Sequence, residues 1–79
     1  ISCQGVFIFV GITPNTDFVK NVSETDEFGF IITDQAMRAS REGIFACGDC
    51  VRKSLYQVVN ACGEGAVAVD SAHKYLLKL

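Results

Sequence analysis

The sequence predicts an α/β chain in which short buried strands are followed by one long C-terminal helix, and three observations carry that prediction. Gly5-Val6-Phe7-Ile8-Phe9-Val10-Gly11 is continuously apolar rather than alternating, the pattern of a strand covered on both faces. Gly43-Ile44-Phe45-Ala46 is a second, shorter apolar run, and it stops on Cys47-Gly48-Asp49-Cys50. Over residues 55–77, Val58, Cys62, Gly65, Val69, Ala72 and Leu76 recur in steps of four and three, which places them on one helix face.

The remaining elements come in order. Thr13-Pro14-Asn15-Thr16 closes the first strand with turn chemistry, because proline presets φ and Asn or Thr caps the next element. Residues 17–22 hold one or two helical turns, and residues 23–27 read as an acidic, solvated loop. Phe28-Gly29-Phe30-Ile31-Ile32-Thr33 is expected to form another strand, and residues 35–40 at most a short third piece. Arg41-Glu42-Gly43 turns the chain into the strand over residues 44–46. Ser54 with Gln57 has the spacing of a capping box at the start of the long helix. Gly63 and Gly65 inside that helix each cost about 1 kcal/mol against alanine, so close approach to a sheet or a ligand is expected there. There is no internal sequence repeat and no low-complexity tract.

Composition narrows the functional classes. A chain of 79 residues makes at most one domain, burying only about 60% of its unfolded surface. Hydrophobic content of 49% is high for that size, so some apolar surface is expected to meet a ligand or another part of a larger protein. Ile1 in place of methionine, running straight into an apolar strand, gives the same expectation. A net charge of −2 argues against nucleic acid as a partner. No apolar run reaches the about 20 residues that span a bilayer, and the apolar start lacks the flanks of a signal peptide. Four cysteines without such a signal fit a reducing compartment, with the cytoplasm as default.

Chemistry concentrates on one segment. A buried strand that ends in Gly48-Asp49 lets a ligand approach the backbone while the carboxylate accepts a hydroxyl hydrogen bond. The competing reading is that Asp49 caps a turn or the following helix. The N-terminus of that helix, a few residues on, offers unpaired N–H groups and the positive end of a dipole to an anion. Cys47 and Cys50 spell Cys-x-x-Cys, which reads as a redox dithiol or as two small apolar residues at a strand end. No second pair of ligands stands at zinc spacing, so no metal site is expected. Cys62 reads as core, His73 as solvated, and Arg52 with Lys53 as a solvated basic pair; Phe7, Phe9, Phe28, Phe30 and Phe45 read as core or interface.

In order and spacing these segments resemble the C-terminal quarter of low-molecular-weight thioredoxin reductases. The matching parts are residues 5–11 with Thr13-Pro14-Asn15-Thr16, then Gly29-Phe30-Ile31-Ile32-Thr33-Asp34 and Gly43-Ile44-Phe45-Ala46-Cys47-Gly48-Asp49. The match continues through Gln57-Val58-Val59-Asn60-Ala61-Cys62-Gly63-Glu64-Gly65-Ala66 to Tyr75-Leu76. The flavoprotein subunit of alkyl hydroperoxide reductase is similar over the same region, with a cysteine at the place of Cys50.

The resemblance implies the C-terminal part of a split FAD-binding Rossmann-like domain, with residues 1–79 as its second half. The first FAD half and the NADPH domain would lie elsewhere in the parent. It implies that Asp49, beside Gly48, binds the ribityl chain of FAD and that Tyr56, Gln57 and Val58 lie along the isoalloxazine ring. The parent would carry electrons from NADPH through FAD to a redox dithiol and on to a thioredoxin-like protein, as a homodimer. No residue of this chain is expected to be catalytic, and these residues alone are expected to be inactive. Tyr56 stands where the family usually has a basic residue, and Cys47 where alanine is common. Outside the resemblance, a small dithiol carrier using Cys47 and Cys50 and a non-catalytic interaction module stay open.

Overall fold

The computed structural model describes residues 2–7 and 13–79, so most of the apolar run over residues 5–11 lies outside the described residues. The longest element is the helix α1, Val58–Leu77. It begins later than the sequence pattern suggests. Gln57 is the N-cap, in an extended conformation (φ −136°, ψ 156°), with no side-chain cap, so the Ser54–Gln57 capping box does not form. Ala, Leu, Glu and Lys favour the helical state, and Asp70 pairs with Lys74 one turn on at 2.9 Å. No helix among the described residues is long and apolar enough to cross a membrane.

Residues 28–33 and 44–46 do not form extended strands. Instead, Ile31 is bridged on both sides, antiparallel to Thr25 and parallel to Val51, and Arg38 is bridged antiparallel to Phe45. The Ile31 N–H donates to the Cys50 carbonyl at 2.8 Å, and the Arg52 N–H donates to the Ile31 carbonyl at 2.9 Å. The physical reason is partnership: a ladder persists only where each strand has a neighbour along its length. Here the neighbours offer one register position each.

Two tight turns organise the middle of the chain. Over residues 26–30, Asp26 Oδ1 accepts from the N–H groups of Phe28 and Phe30, and Gly29 takes φ +94°. Over residues 34–38, Asp34 Oδ1 accepts from Ala36 and Arg38, and Met37 takes φ +63°. The sequence showed no repeat, yet the hydrogen-bond pattern repeats. Thr16 does precede a single 3-10 turn, Asp17–Val19, but its hydroxyl donates to the Gly29 carbonyl rather than capping. The loop expected to be solvated is partly internal, since Ser23 is buried and Thr25 is half-buried.

Phe30, Ile31, Val51 and Ala68 form the core, with Val51 only 2% exposed. The chain is elongated, 62 × 26 × 19 Å. Its radius of gyration is 15.8 Å, against about 12 Å for a compact chain of this length. The helix therefore packs along one line. Ala68 is buried and Ala61, Gly65, Ala72 and Tyr75 are half-buried, whereas Val58, Cys62, Val69 and Leu76 of the predicted stripe are exposed. The chain's own loops cover the small residues and leave the large ones outside. Cys62 is thus not core. Among the described residues, Gly63 and Gly65 have nothing within 4 Å of where a Cβ would stand, so no close approach seen there accounts for them.

At the far end of the helix, the Tyr75 ring meets Phe45 edge-on, with centroids 6.0 Å apart, and its hydroxyl donates to Glu42 at 3.3 Å. Burial, then the Glu42 carboxylate, pushes the Tyr75 hydroxyl above its ordinary pKa. Gly43, with φ +87°, makes the expected turn beneath that ring.

Candidate functional site

The segment over residues 47–51 lies between the core bridge and the helix. Gly48 takes φ +89°, a conformation that a side chain opposes, and the Val51 N–H closes the turn onto the Gly48 carbonyl at 3.1 Å. Among the described residues, a Cβ at Gly48 would meet nothing within 4 Å. The glycine is there for its backbone conformation, and the face beside it is open. Asp49 is next, exposed, and its carboxylate has no hydrogen bond or ion pair among the described residues. An Asp that capped the helix would accept from its first N–H groups; Asp49 does not, and Gln57 holds the cap position.

What holds this turn was missed by sequence reasoning. Glu64, in the second turn of α1, accepts from the Gly48 N–H at 3.0 Å and from Lys53 Nζ at 2.6 Å through the same oxygen, Oε1. Lys53 Nζ also donates to the Gly48 carbonyl. Both polar groups of the Gly48 backbone are therefore held by one ion pair. The pair is largely shielded, with side-chain exposures of 11% for Lys53 and 17% for Glu64. Lys53 is not the solvated partner of Arg52. The only hint in the sequence was a glutamate between two helical glycines.

Lys53 continues the network to Tyr56, standing 5.6 Å from the ring centroid. Tyr56 in turn lies against Phe30 of the core, with centroids 5.2 Å apart and planes tilted by 36°. So the structure brings together Gly48, Lys53, Glu64 and Tyr56, with Asp49 projecting from their edge. Gln57 and Val58 stand apart as an exposed pair at the start of α1, Val58 being 80% exposed. The Asn60 and Ala61 N–H groups both turn to the Gln57 carbonyl at 3.1 Å, and no side chain caps the helix start. That end carries the positive pole of the helix dipole.

The cysteines do not pair. Cys47 and Cys50 are free thiols; Cys47 is exposed rather than packed, and Cys50 donates to the Cys47 carbonyl at 3.4 Å. Burial pushes the Cys50 thiol above its ordinary pKa, which disfavours the nucleophilic thiolate. His73 and Arg52 are exposed, as expected.

The family profile of pyridine nucleotide-disulphide oxidoreductases matches residues 1–65. The chain belongs to that family. Within the pyridine nucleotide-disulphide oxidoreductases, it is 48% identical over 76 residues to a thioredoxin reductase of Listeria monocytogenes, covering 96% of this chain and 24% of that protein. It is 47% identical over 72 residues to a thioredoxin reductase of Peptoclostridium acidaminophilum, covering 91% of this chain and 23% of that one. Among solved structures, Lactococcus lactis thioredoxin reductase superposes with a TM-score of 0.88 at 45% identity, over 95% of this chain and 25% of that chain. The thioredoxin reductase from Streptococcus pyogenes does so with 0.85 at 48% identity, over 95% and 24%. The chain thus spans about a quarter of the length of the relatives it matches.

Proposed function

We propose that this chain is the second half of the FAD-binding domain of a thioredoxin reductase and forms one wall of the flavin site. The observation that carries the reading is the Gly48-Asp49 turn: an open-faced, positive-φ glycine followed by an exposed carboxylate without a partner among the described residues. Similarity to thioredoxin reductases over nearly the whole chain supports the same reading.

The residues present fit FAD. Gly48 leaves room for a ligand beside the backbone, and Asp49 would accept a hydrogen bond from a ribityl hydroxyl. Tyr56, Gln57 and Val58 would lie along the ring system, with the uncapped start of α1 directed at its electron-rich edge. A helix N-terminus stabilises negative charge there more than neutral charge, so these residues favour the reduced state. Bound there, FAD would supply two-electron chemistry between a nicotinamide and a disulfide. In the parent, that nicotinamide would be NADPH and the final acceptor a thioredoxin-like protein. A cytoplasmic homodimer completes the proposal.

Within this wall no side chain is assigned a bond-making step. Its work is to bind, orient and bias charge. The exposed Val59, Val69 and Leu76 would be covered by the other half of the domain.

The test is flavin content. Intact protein is expected to purify yellow, to reduce a thioredoxin disulfide with NADPH, and to lose FAD affinity by roughly tenfold on Asp49→Asn, the size of one charge-assisted hydrogen bond. Unchanged affinity in that variant would remove Asp49 from the site.

A further inference from the structure

We propose that Lys53 and Glu64 are positioning residues, an ion pair that fixes the Gly48 backbone and thereby aims the Asp49 carboxylate. The proposal rests on the reading of Asp49 as an acceptor for an FAD hydroxyl. Its evidence is independent of that reading, since it comes from what the pair touches.

Glycine at a ligand-binding turn solves a steric problem and creates a conformational one. Without a Cβ, Gly48 has access to many backbone states, and only one of them points Asp49 outward. The two peptide groups that flank Gly48 must be held by something else. The N–H on one side donates to Glu64 Oε1 at 3.0 Å, and the carbonyl on the other accepts from Lys53 Nζ. Glu64 and Lys53 are joined at 2.6 Å, so neither can move without releasing both peptides. The Val51 N–H on the same carbonyl, at 3.1 Å, closes the turn.

The pair has the traits of a constructed feature rather than a surface accident. Exposed ion pairs contribute little, whereas this one is shielded on both sides and each member makes a further hydrogen bond to backbone. Glu64 reaches the turn from a rigid helix, and Lys53 is backed by the Tyr56 ring, which itself rests on buried Phe30. The Asp70–Lys74 pair on the same helix is solvent-exposed, with exposures above 60% on both sides. It serves as the internal control.

The experiment uses the intact flavoprotein and measures FAD dissociation constants together with the flavin absorption spectrum. Lys53→Met and Glu64→Gln are each expected to weaken FAD roughly tenfold, and the double variant no more than the worse single one, because one network is lost either way. Lys53→Arg should restore most of the affinity, and Lys74→Met should change nothing. The decisive comparison is the cycle with Asp49→Asn: if the pair acts by aiming Asp49, Lys53→Met should cost little further affinity once the carboxylate is gone. Full additivity in that cycle would overturn the proposal. So would weakened binding by Asp49→Asn alone, with Lys53→Met lowering only the melting temperature. If Asp49→Asn itself leaves FAD affinity unchanged, the reading of the site fails, and this inference with it. Should Lys53→Met not fold, Glu64→Gln and Lys53→Arg carry the same cycle.

Discussion

The turns over residues 26–30 and 34–38 are built by the same hydrogen bonds and serve different ends. In each, an aspartate Oδ1 accepts from the N–H groups two and four residues on, at 2.9–3.0 Å. In each, the residue three positions on has positive φ and donates to the aspartate carbonyl at 3.1 Å. Yet the first holds glycine at that position and the second methionine. The aspartate, not the glycine, defines the turn, because its carboxylate gathers backbone donors that would otherwise be unpaired.

The surroundings explain why only one turn needs glycine. A Cβ on Gly29 would stand 3.3 Å from Pro14 Cγ and 3.4 Å from Thr16 Oγ1, so the turn is pressed against another segment. It also delivers Phe30 into the core and beneath Tyr56, which connects it to the candidate site. The second turn reaches other segments through its backbone, where Arg38 is bridged to Phe45 and the Met37 carbonyl accepts from the Ala46 N–H at 3.1 Å. Its aspartate pairs with Arg38 of the same turn at 2.7 Å, on the surface, and leads into the hairpin held by Tyr75. The same local chemistry thus delivers a core aromatic in one place and opens a surface hairpin in the other.

Four measurements on the intact protein break or sharpen this contrast. The largest effect is expected from Asp26→Ala, which orphans the part-buried Phe30 N–H as well as that of Phe28 and costs about 2 kcal/mol in thermal unfolding. Tyr56 fluorescence should shift with it. Gly29→Ala comes next, at about 1–2 kcal/mol, from positive φ together with crowding at Pro14. A neutral result there would mean that the two turns are interchangeable. Met37→Gly should carry the opposite sign and stabilise by less than about 1 kcal/mol, since relief of the left-handed strain exceeds the added freedom of the unfolded chain only slightly.

The smallest effect is on pH dependence. The Arg38 backbone N–H, ahead of the Arg38 guanidinium, holds the Asp34 carboxyl below its ordinary 3.8. A depressed carboxyl contributes stability that is fully present above its unfolded pKa and is lost as pH falls through the folded one. An acid titration should therefore show a slightly shallower loss of stability for Asp34→Asn than for wild type. Identical profiles would deny the carboxylate any part in holding the turn.

The features legible in the sequence had local causes. The helix was visible because alanine, leucine and charged residues act within a turn of themselves, although its start was placed early, since Ser54 and Gln57 have capping spacing without capping geometry. The turn at Gly43 and the helical turn after Thr16 were visible for the same reason. The strands over residues 28–33 and 44–46 were overestimated, because an apolar run reports burial in some larger body and not the presence of a partner beside it. The Gly48-Asp49 ending could be singled out by residue type alone, and among the described residues it has an open face and a carboxylate without partners.

The sequence by itself determined the family and the helix, and singled out the Gly48-Asp49 segment as the candidate site, because motif order and short-range propensity need no knowledge of neighbours. Only the tertiary structure decided which face of the helix is covered, and that Lys53 and Glu64 meet across eleven positions to hold Gly48. An ion pair gains strength from shielding and from shared backbone partners. Those properties belong to positions in space, and no residue carries them in its type.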